Sequence, residues 1–179
     1  MKNLEDRKKE LVREYKKNEC KLSEIFENSE KIQKYLRDFA DSLKIILEKY
    51  LQCDTGTITL REVPLLYGLL SLALEGSIRL YFLSKQFDDF IGVEQPKRTL
   101  SKLKEKINKD ILNEIGEKLD YLIFVRNHFI HFPLYYTSFY NDKQMFVDVI
   151  RFFAEKSGFP DVIPPRLLES RRRDSDEQR

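Results

Sequence analysis

The stretch that most constrains this fold runs from Val63 to Leu83, where Glu75 and Arg79 are the only charged side chains. The other residues are apolar around nearly the whole circumference of a helix, which is typical of a helix that its neighbours cover on every side. Pro64 suits the first turn of a helix, where its missing N–H is not needed. The sequence therefore predicts a helix over Pro64 to Lys85 that is the most buried element of the fold.

The same stretch is long enough to be compared with a membrane span. A charged residue at the centre of a span costs about 2.5–3.5 kcal/mol, and this stretch has two near its middle. A buried core helix is therefore the preferred interpretation, and no membrane association is predicted. The isolated Cys20 and Cys53 form no disulfide framework, and the N-terminus has no apolar signal core, so a cytoplasmic location is expected.

Apolar residues recur at helical spacing along most of the chain, which predicts an all-α bundle of five or more helices. Helices are predicted from about Asn3 to Glu27, from Ser29 to about Leu51, over Leu100 to Ile115 as one or two pieces, from Glu117 to about His131, and from Asn141 or Asp142 to Gly158. Gly116 is predicted to end one helix, and Phe87 to Arg98 is predicted to be a loop.

The length of 179 residues allows one well-buried domain and is short for two. One domain is predicted over residues 1–160. From Asp161 onward the chain lacks periodicity, which predicts a flexible polar tail over residues 161–179. The net charge of +2 gives no global basic field, so any nucleic-acid binding surface must be local.

Candidate chemistry is concentrated in the segment from Arg126 to His131, which holds both histidines of the chain. A guanidinium can hold a phosphate with two hydrogen bonds, and an imidazole titrates near neutrality and can move a proton in either direction. Together with the amide of Asn127, these groups are suited to phosphodiester cleavage without a metal. No histidines, cysteines or acids stand at metal-ligand spacing, so no metal or cofactor is expected.

The helical register places Arg126 inside the apolar arc of its helix, where an ion is costly unless it is paired or used. Glu75 is the lone acid of the apolar central helix. The sequence therefore predicts that Glu75 lies within salt-bridge reach of Arg126 or Arg79 and supports the site.

The Arg-Asn-x-x-x-His pattern late in a helix of an all-helical chain resembles the signature of the HEPN superfamily, the higher eukaryote and prokaryote nucleotide-binding domains. That signature has an arginine, four to six residues and a histidine, which correspond to Arg126 and His131. A polar residue often follows the arginine, and Asn127 matches it. His128 falls at a variable position.

The resemblance implies a metal-independent endoribonuclease, with Arg126, His131 and Asn127 in the active site and RNA as the substrate. It also implies a homodimer whose two motifs face one cleft, and a toxin-like or antiviral defence role with a possible antitoxin or defence partner protein. In one subgroup a tyrosine two residues after the histidine is modified by the antitoxin; here Pro133 stands at that position, which argues against this mode of control.

Two other interpretations of the motif stay open at this point. The chain could be a catalytically silent HEPN-like module that binds a nucleotide or a protein partner. It could also be an unrelated helical bundle in which His131 only suits a helix C-terminus and Arg126 only forms an interior ion pair.

Two neighbouring patterns also have competing interpretations. Aromatic residues after the motif could stack on bases or simply pack in the core; they are Phe132, Tyr135, Tyr136, Phe139 and Tyr140. Basic residues before it could guide an RNA backbone or form a solvated helix face; they are Lys97, Arg98, Lys102, Lys104, Lys106 and Lys109.

Overall fold

The structure, a computed structural model, describes residues 4–54, 62–91, 100–131 and 139–167. These residues form seven α-helices and one 3-10 turn, and no strand occurs among them. The helices are α1 (Leu4–Phe26), α2 (Ser29–Cys53), α3 (Val63–Lys85), α4 (Phe87–Ile91), α5 (Leu100–Lys104), α6 (Lys109–His131) and α7 (Phe139–Ser157), with the 3-10 turn at Pro160–Val162. The prediction of an all-α fold with at least five helices is confirmed for the described part of the chain.

The chain divides into two compact units, Met1–Asp38 and Phe39–Arg179. In the first unit the side chain of Asn28 accepts hydrogen bonds from the backbone N–H groups of Glu30 and Lys31, both at 3.2 Å. Asn28 is therefore the N-cap of α2. Phe26 and Tyr35 meet edge to face, with ring centroids 6.4 Å apart. The predicted assignment of residues 1–160 to one domain stays a prediction.

Helix α3 is the core of the second unit. Thirteen of its residues are buried, including Leu66, Tyr67, Leu70 and Leu74 with no exposed surface. By length and composition alone α3 is also apolar enough to cross a membrane. Its burial inside the unit is what a core helix requires, and it confirms the prediction that this is the most buried element.

Helix α7 runs alongside α3 in the same direction. The ring centroids of Tyr67 and Phe146 are 6.1 Å apart, and those of Tyr81 and Phe153 are 5.6 Å apart. The later residue of α3 contacts the later residue of α7, so the two helices are parallel. Helix α6 runs antiparallel to α7, since Glu114 near its start approaches Lys156 near the end of α7.

Four predicted boundaries were wrong, and one of them is the start of α7, which begins at Phe139 and not at Asn141 or Asp142. Gly116 lies inside α6 and does not end a helix, because its backbone does not take the positive φ that a glycine at a helix C-terminus adopts. Phe87 to Ile91 forms α4 instead of a loop, with Phe90 buried against Phe82. The rest of that predicted loop, residues 92–98, lies outside the described residues.

The remaining boundary is the start of the C-terminal tail. Gly158 has a φ of 87° and ends α7. The backbone N–H of Phe159 then donates to the carbonyl of Ala154 at 2.9 Å, which is the Schellman closure. Val162, Ile163 and Leu167 are buried, so packing continues past the predicted boundary at Asp161. Residues 168–179 lie outside the described residues.

Two glycines of α3 differ in their surroundings. A Cβ on Gly76 would lie 2.7 Å from Cδ2 of the buried Leu43, whereas a Cβ on Gly68 would have nothing within 4 Å. We expect Gly76→Ala to lower stability by about 1–3 kcal/mol through overpacking. Gly68→Ala, the matched control, should raise stability by about 0.5–1 kcal/mol through helix propensity. Urea unfolding of both variants measures this, and equal stabilities would contradict the close approach of α2 and α3.

Candidate functional site

The candidate site begins at the C-terminal end of α6, where Arg126 follows a buried apolar face. Leu122, Ile123 and Val125 are buried, while Arg126 is only partly covered. This is the position that the helical register predicted, a guanidinium on the side of α6 that faces the core. A cation placed there needs an anionic partner.

Glu75 is that partner. Nη2 of Arg126 donates to Oε2 of Glu75 at 2.8 Å, which joins the end of α6 to the middle of α3. On the other carboxylate oxygen, Oε1, Glu75 accepts from Nη2 of Arg79 at 2.6 Å and from its Nε at 3.1 Å. The predicted pairing of Glu75 is confirmed, with both arginines at once.

This group of Arg79, Glu75 and Arg126 is called here the arginine cluster; in it one carboxylate binds two guanidiniums. The three side chains are each about one quarter exposed, at 27%, 23% and 24%. They are therefore covered enough for their charges to interact more strongly than in open water, yet accessible to a ligand. Guanidiniums in such a setting suit the binding of an anion.

Asn127 is exposed, and its Oδ1 accepts a hydrogen bond from Nη1 of Arg126 at 3.2 Å. The amide of Asn127 thus helps to hold the guanidinium of Arg126 in position. Of the predicted site residues, Asn127 therefore contacts Arg126. Arg126 uses two of its five N–H donors in these contacts with described residues.

The two histidines lie in the same helix but differ in what the structure describes. His131 is the last residue of α6, as predicted, and its side chain lies outside the described part. His128 is exposed, and its ring stacks on that of Phe124 with centroids 5.9 Å apart and planes 17° from parallel. His128 therefore belongs to a different face of α6 from Arg126.

Sequence reasoning missed a second polar group that contacts the same two helices, α3 and α6, and is centred on Asp142. The sequence predicted that Asn141 or Asp142 caps the last helix, but α7 begins at Phe139 and Asp142 lies inside it with 2% exposure. Its carboxylate accepts from the hydroxyls of Tyr67 at 2.6 Å and Tyr121 at 2.7 Å. The hydrogen bond to Asp142 raises the pKa of Tyr121, and burial adds to this. Asp142 lies one helical turn before the apolar Phe146, and this spacing was the sequence signal that Asp142 is on the buried face of α7.

The competing interpretations of the flanking residues are settled only in part. Lys102 pairs with Glu105 at 2.8 Å and Lys104 pairs with Asp120, which favours a solvated helix face for these two. Lys97 and Arg98 lie outside the described residues. So do the side chains of the aromatic run over residues 132–140. Within the described ranges no three His, Cys, Asp or Glu side chains are grouped to hold a metal ion.

Comparison of this chain with protein-family models, with curated proteins and with solved structures gives no match. The arginine cluster and the helix that carries it therefore have to be interpreted from their own chemistry.

Removal of the shared carboxylate tests the cluster. We expect Glu75→Ala to destabilise the protein, by about 1–3 kcal/mol, because two guanidiniums are left close together without their acceptor. The matched control is Glu155→Ala, since Glu155 is exposed and reaches Arg151 only at 3.8 Å. That change should cost less than about 0.5 kcal/mol. Thermal unfolding compares the two variants, and equal losses would contradict a special role for Glu75.

Proposed function

We propose that this chain is a HEPN-type endoribonuclease that cleaves single-stranded RNA without a metal ion. The observation that carries the proposal is the arginine cluster, in which Arg126 is held by Glu75 and Asn127 five residues before the histidine that ends the same helix. A guanidinium that is fixed in position suits a phosphate whose negative charge grows during reaction.

The proposed reaction uses the 2′-hydroxyl of the substrate as its nucleophile. The imidazole of His131 takes the proton from the 2′-oxygen, which attacks the adjacent phosphorus in line with the 5′-oxygen that leaves. Arg126 neutralises charge on the equatorial phosphate oxygens. The bond from phosphorus to the 5′-oxygen breaks, and that oxygen takes up a proton. The products are a 2′,3′-cyclic phosphate and a 5′-hydroxyl.

One imidazole cannot readily serve as base and acid in the same step, so the proposal includes a symmetric homodimer. Each protomer then supplies one His131 and one Arg126 to a shared cleft. In this role the protein acts in the cytoplasm as a toxin or an antiviral defence factor, and an antitoxin or defence partner would restrain it.

The dimer has its own test. We expect light scattering to give the mass of a dimer at micromolar concentration, with the motif helix α6 in the interface. Phe124 is 66% exposed on this helix, so Phe124→Asp should weaken association if the exposed face of α6 is buried there. Leu72→Asp is the control, because Leu72 is similarly exposed, at 58%, on α3. A stable monomer at this concentration would contradict the shared cleft.

The activity is tested by incubation of the purified protein with single-stranded RNA in excess EDTA. Cleavage should persist, whereas a two-metal nuclease would stop, and DNA should be spared because it has no 2′-hydroxyl. Arg126→Ala and His131→Ala should each reduce the rate on the order of 10²–10⁴-fold. His128→Ala is the control and should have a smaller effect, since its ring stacks on Phe124 away from the arginine cluster.

One observation favours a second candidate, a silent binding module. Glu75 holds Arg126 in place through an ion pair, and a binding site for a nucleotide or an acidic partner would also use an arginine that is held in this way. The cleavage assay separates the two functions. Intact RNA after incubation with protein that still binds it, or a His131→Ala variant that cuts as fast as the wild type, would favour the binding module.

A further inference from the structure

The exposed face of α6 carries an aromatic side chain that the core does not use. Phe124 is 66% exposed, the largest exposed fraction among the large apolar side chains in the described part of the chain. A single exposed apolar side chain is ordinary on a protein surface. What decides its role is therefore how the ring of Phe124 is held and which groups surround it.

His128 holds the ring of Phe124 from one side. The two residues are one helical turn apart, and their rings form an offset stack, with planes 17° from parallel and centroids 5.9 Å apart. The stack fixes the plane of the phenyl ring. Because Phe124 is still largely exposed, the opposite face of its ring is open to solvent. The pair is therefore a flat π surface that is oriented before a ligand binds.

The surface around this ring is polar. Asp120 lies one turn before Phe124 and Asn127 one turn after it, and both are exposed. The other aromatic side chain nearby, Tyr121, is held by the hydrogen bond from its hydroxyl to Asp142. An interface with another protein would continue the ring into a larger apolar patch. A single flat ring among polar groups instead matches a nucleic-acid base, which has a π face and hydrogen-bonding edges.

The ring also lies close to the residues of the proposed active site. At about 100° per residue, Asn127 lies between Phe124 and Arg126 around the helix, and its amide accepts from that arginine. The two ends of this row are separated by no more than the width of a helix, about 10–12 Å, which a few nucleotides can span. The charge of Asp120 is offset toward a polyanion by its ion pair with Lys104.

We propose that Phe124, held in plane by His128, is a stacking platform for an unpaired base of the RNA. This inference deepens the proposed function and rests on it. A base inside a duplex has both faces covered by its neighbours, so the platform selects strands with unpaired bases. Every base has a π face, so the platform selects single strands without selecting a sequence.

The first test uses the fact that the chain has no tryptophan, so Phe124→Trp introduces a single indole at the platform. The probe is a single-stranded RNA oligonucleotide with 2′-O-methyl groups, which cannot be cleaved through its 2′-oxygen. Because stacking on a base quenches indole emission, the probe should quench this variant, and an abasic strand of equal length and charge should not. The matched control is Ile45→Trp, since Ile45 is 64% exposed on α2, and its emission should stay unchanged.

The second test measures the affinity for both strands by fluorescence anisotropy. Phe124→Leu keeps an apolar side chain of similar size but removes the π face. It should weaken binding of the probe by about five- to thirtyfold, the lower part of what one stacked base contributes, and leave binding of the abasic strand unchanged. The slope of log affinity against log salt should not change, because a stacking ring neutralises no phosphate. His128→Ala should have a smaller effect, since it loosens the ring without removing it.

Other roles of Phe124 give different results. If Phe124→Leu also lowers the mass found by light scattering, Phe124 acts through association with a second copy and the platform is overturned. Equal losses for both strands, unquenched emission of Phe124→Trp or failure of the wild type to bind the probe overturn it as well. Wild-type protein that prefers the probe to the abasic strand but leaves unmodified RNA intact contradicts the nuclease alone. Cleavage by the wild type with full probe affinity in Phe124→Leu contradicts the platform alone.

Discussion

Burial of α3 is the constraint on which the rest of the second unit depends. Full burial of one leucine side chain is worth about 1.5–3 kcal/mol, and α3 buries several of them together with Tyr67 and Phe82. A helix that is apolar on nearly every side leaves few positions for polar groups. The polar side chains that it does carry must therefore find partners on the helices that cover it, and this requirement fixes where the neighbours of α3 can lie.

The first turns of α7 show how the covering helices are fixed. Asp142 binds a tyrosine of α3 and a tyrosine of α6, and the next residue, Lys143, pairs with Asp54 just beyond α2. Tyr50 also donates to Asp54, at 2.9 Å, and burial followed by this carboxylate raises the pKa of Tyr50. The pKa values of Tyr50 and Tyr121 are both raised, so these two hydroxyls remain protonated donors at neutral pH. Two consecutive side chains connect three other helices, including the one that carries Arg126.

Much of the second unit could be predicted from the sequence, because the burial of apolar residues and the pairing of charges leave patterns in the sequence and also determine the structure. The central helix and the partner of Glu75 were predictable, since an apolar helix must be covered and a lone carboxylate on it must meet a cation. The glycines were not equally informative. Gly158 ends α7 because it takes a φ of 87°, but Gly116 stays helical and only tertiary packing decides between these outcomes. Asp142 was misassigned because aspartate is a frequent helix cap, and its two tyrosine donors lie far away in the sequence.

For the candidate site, the sequence predicted that Glu75 pairs with Arg126 or Arg79, but it did not predict that both arginines pair with it at once. The HEPN-like pattern points to Arg126, Asn127 and His131, and the apolar register of α6 explains why Arg126 needs Glu75. Neither signal requires Arg79, since a leucine at that position would extend the apolar face of α3 at no cost in charge. An ion pair replaced by apolar residues is often as stable as the original, so stability alone gives little reason to keep a second cation there.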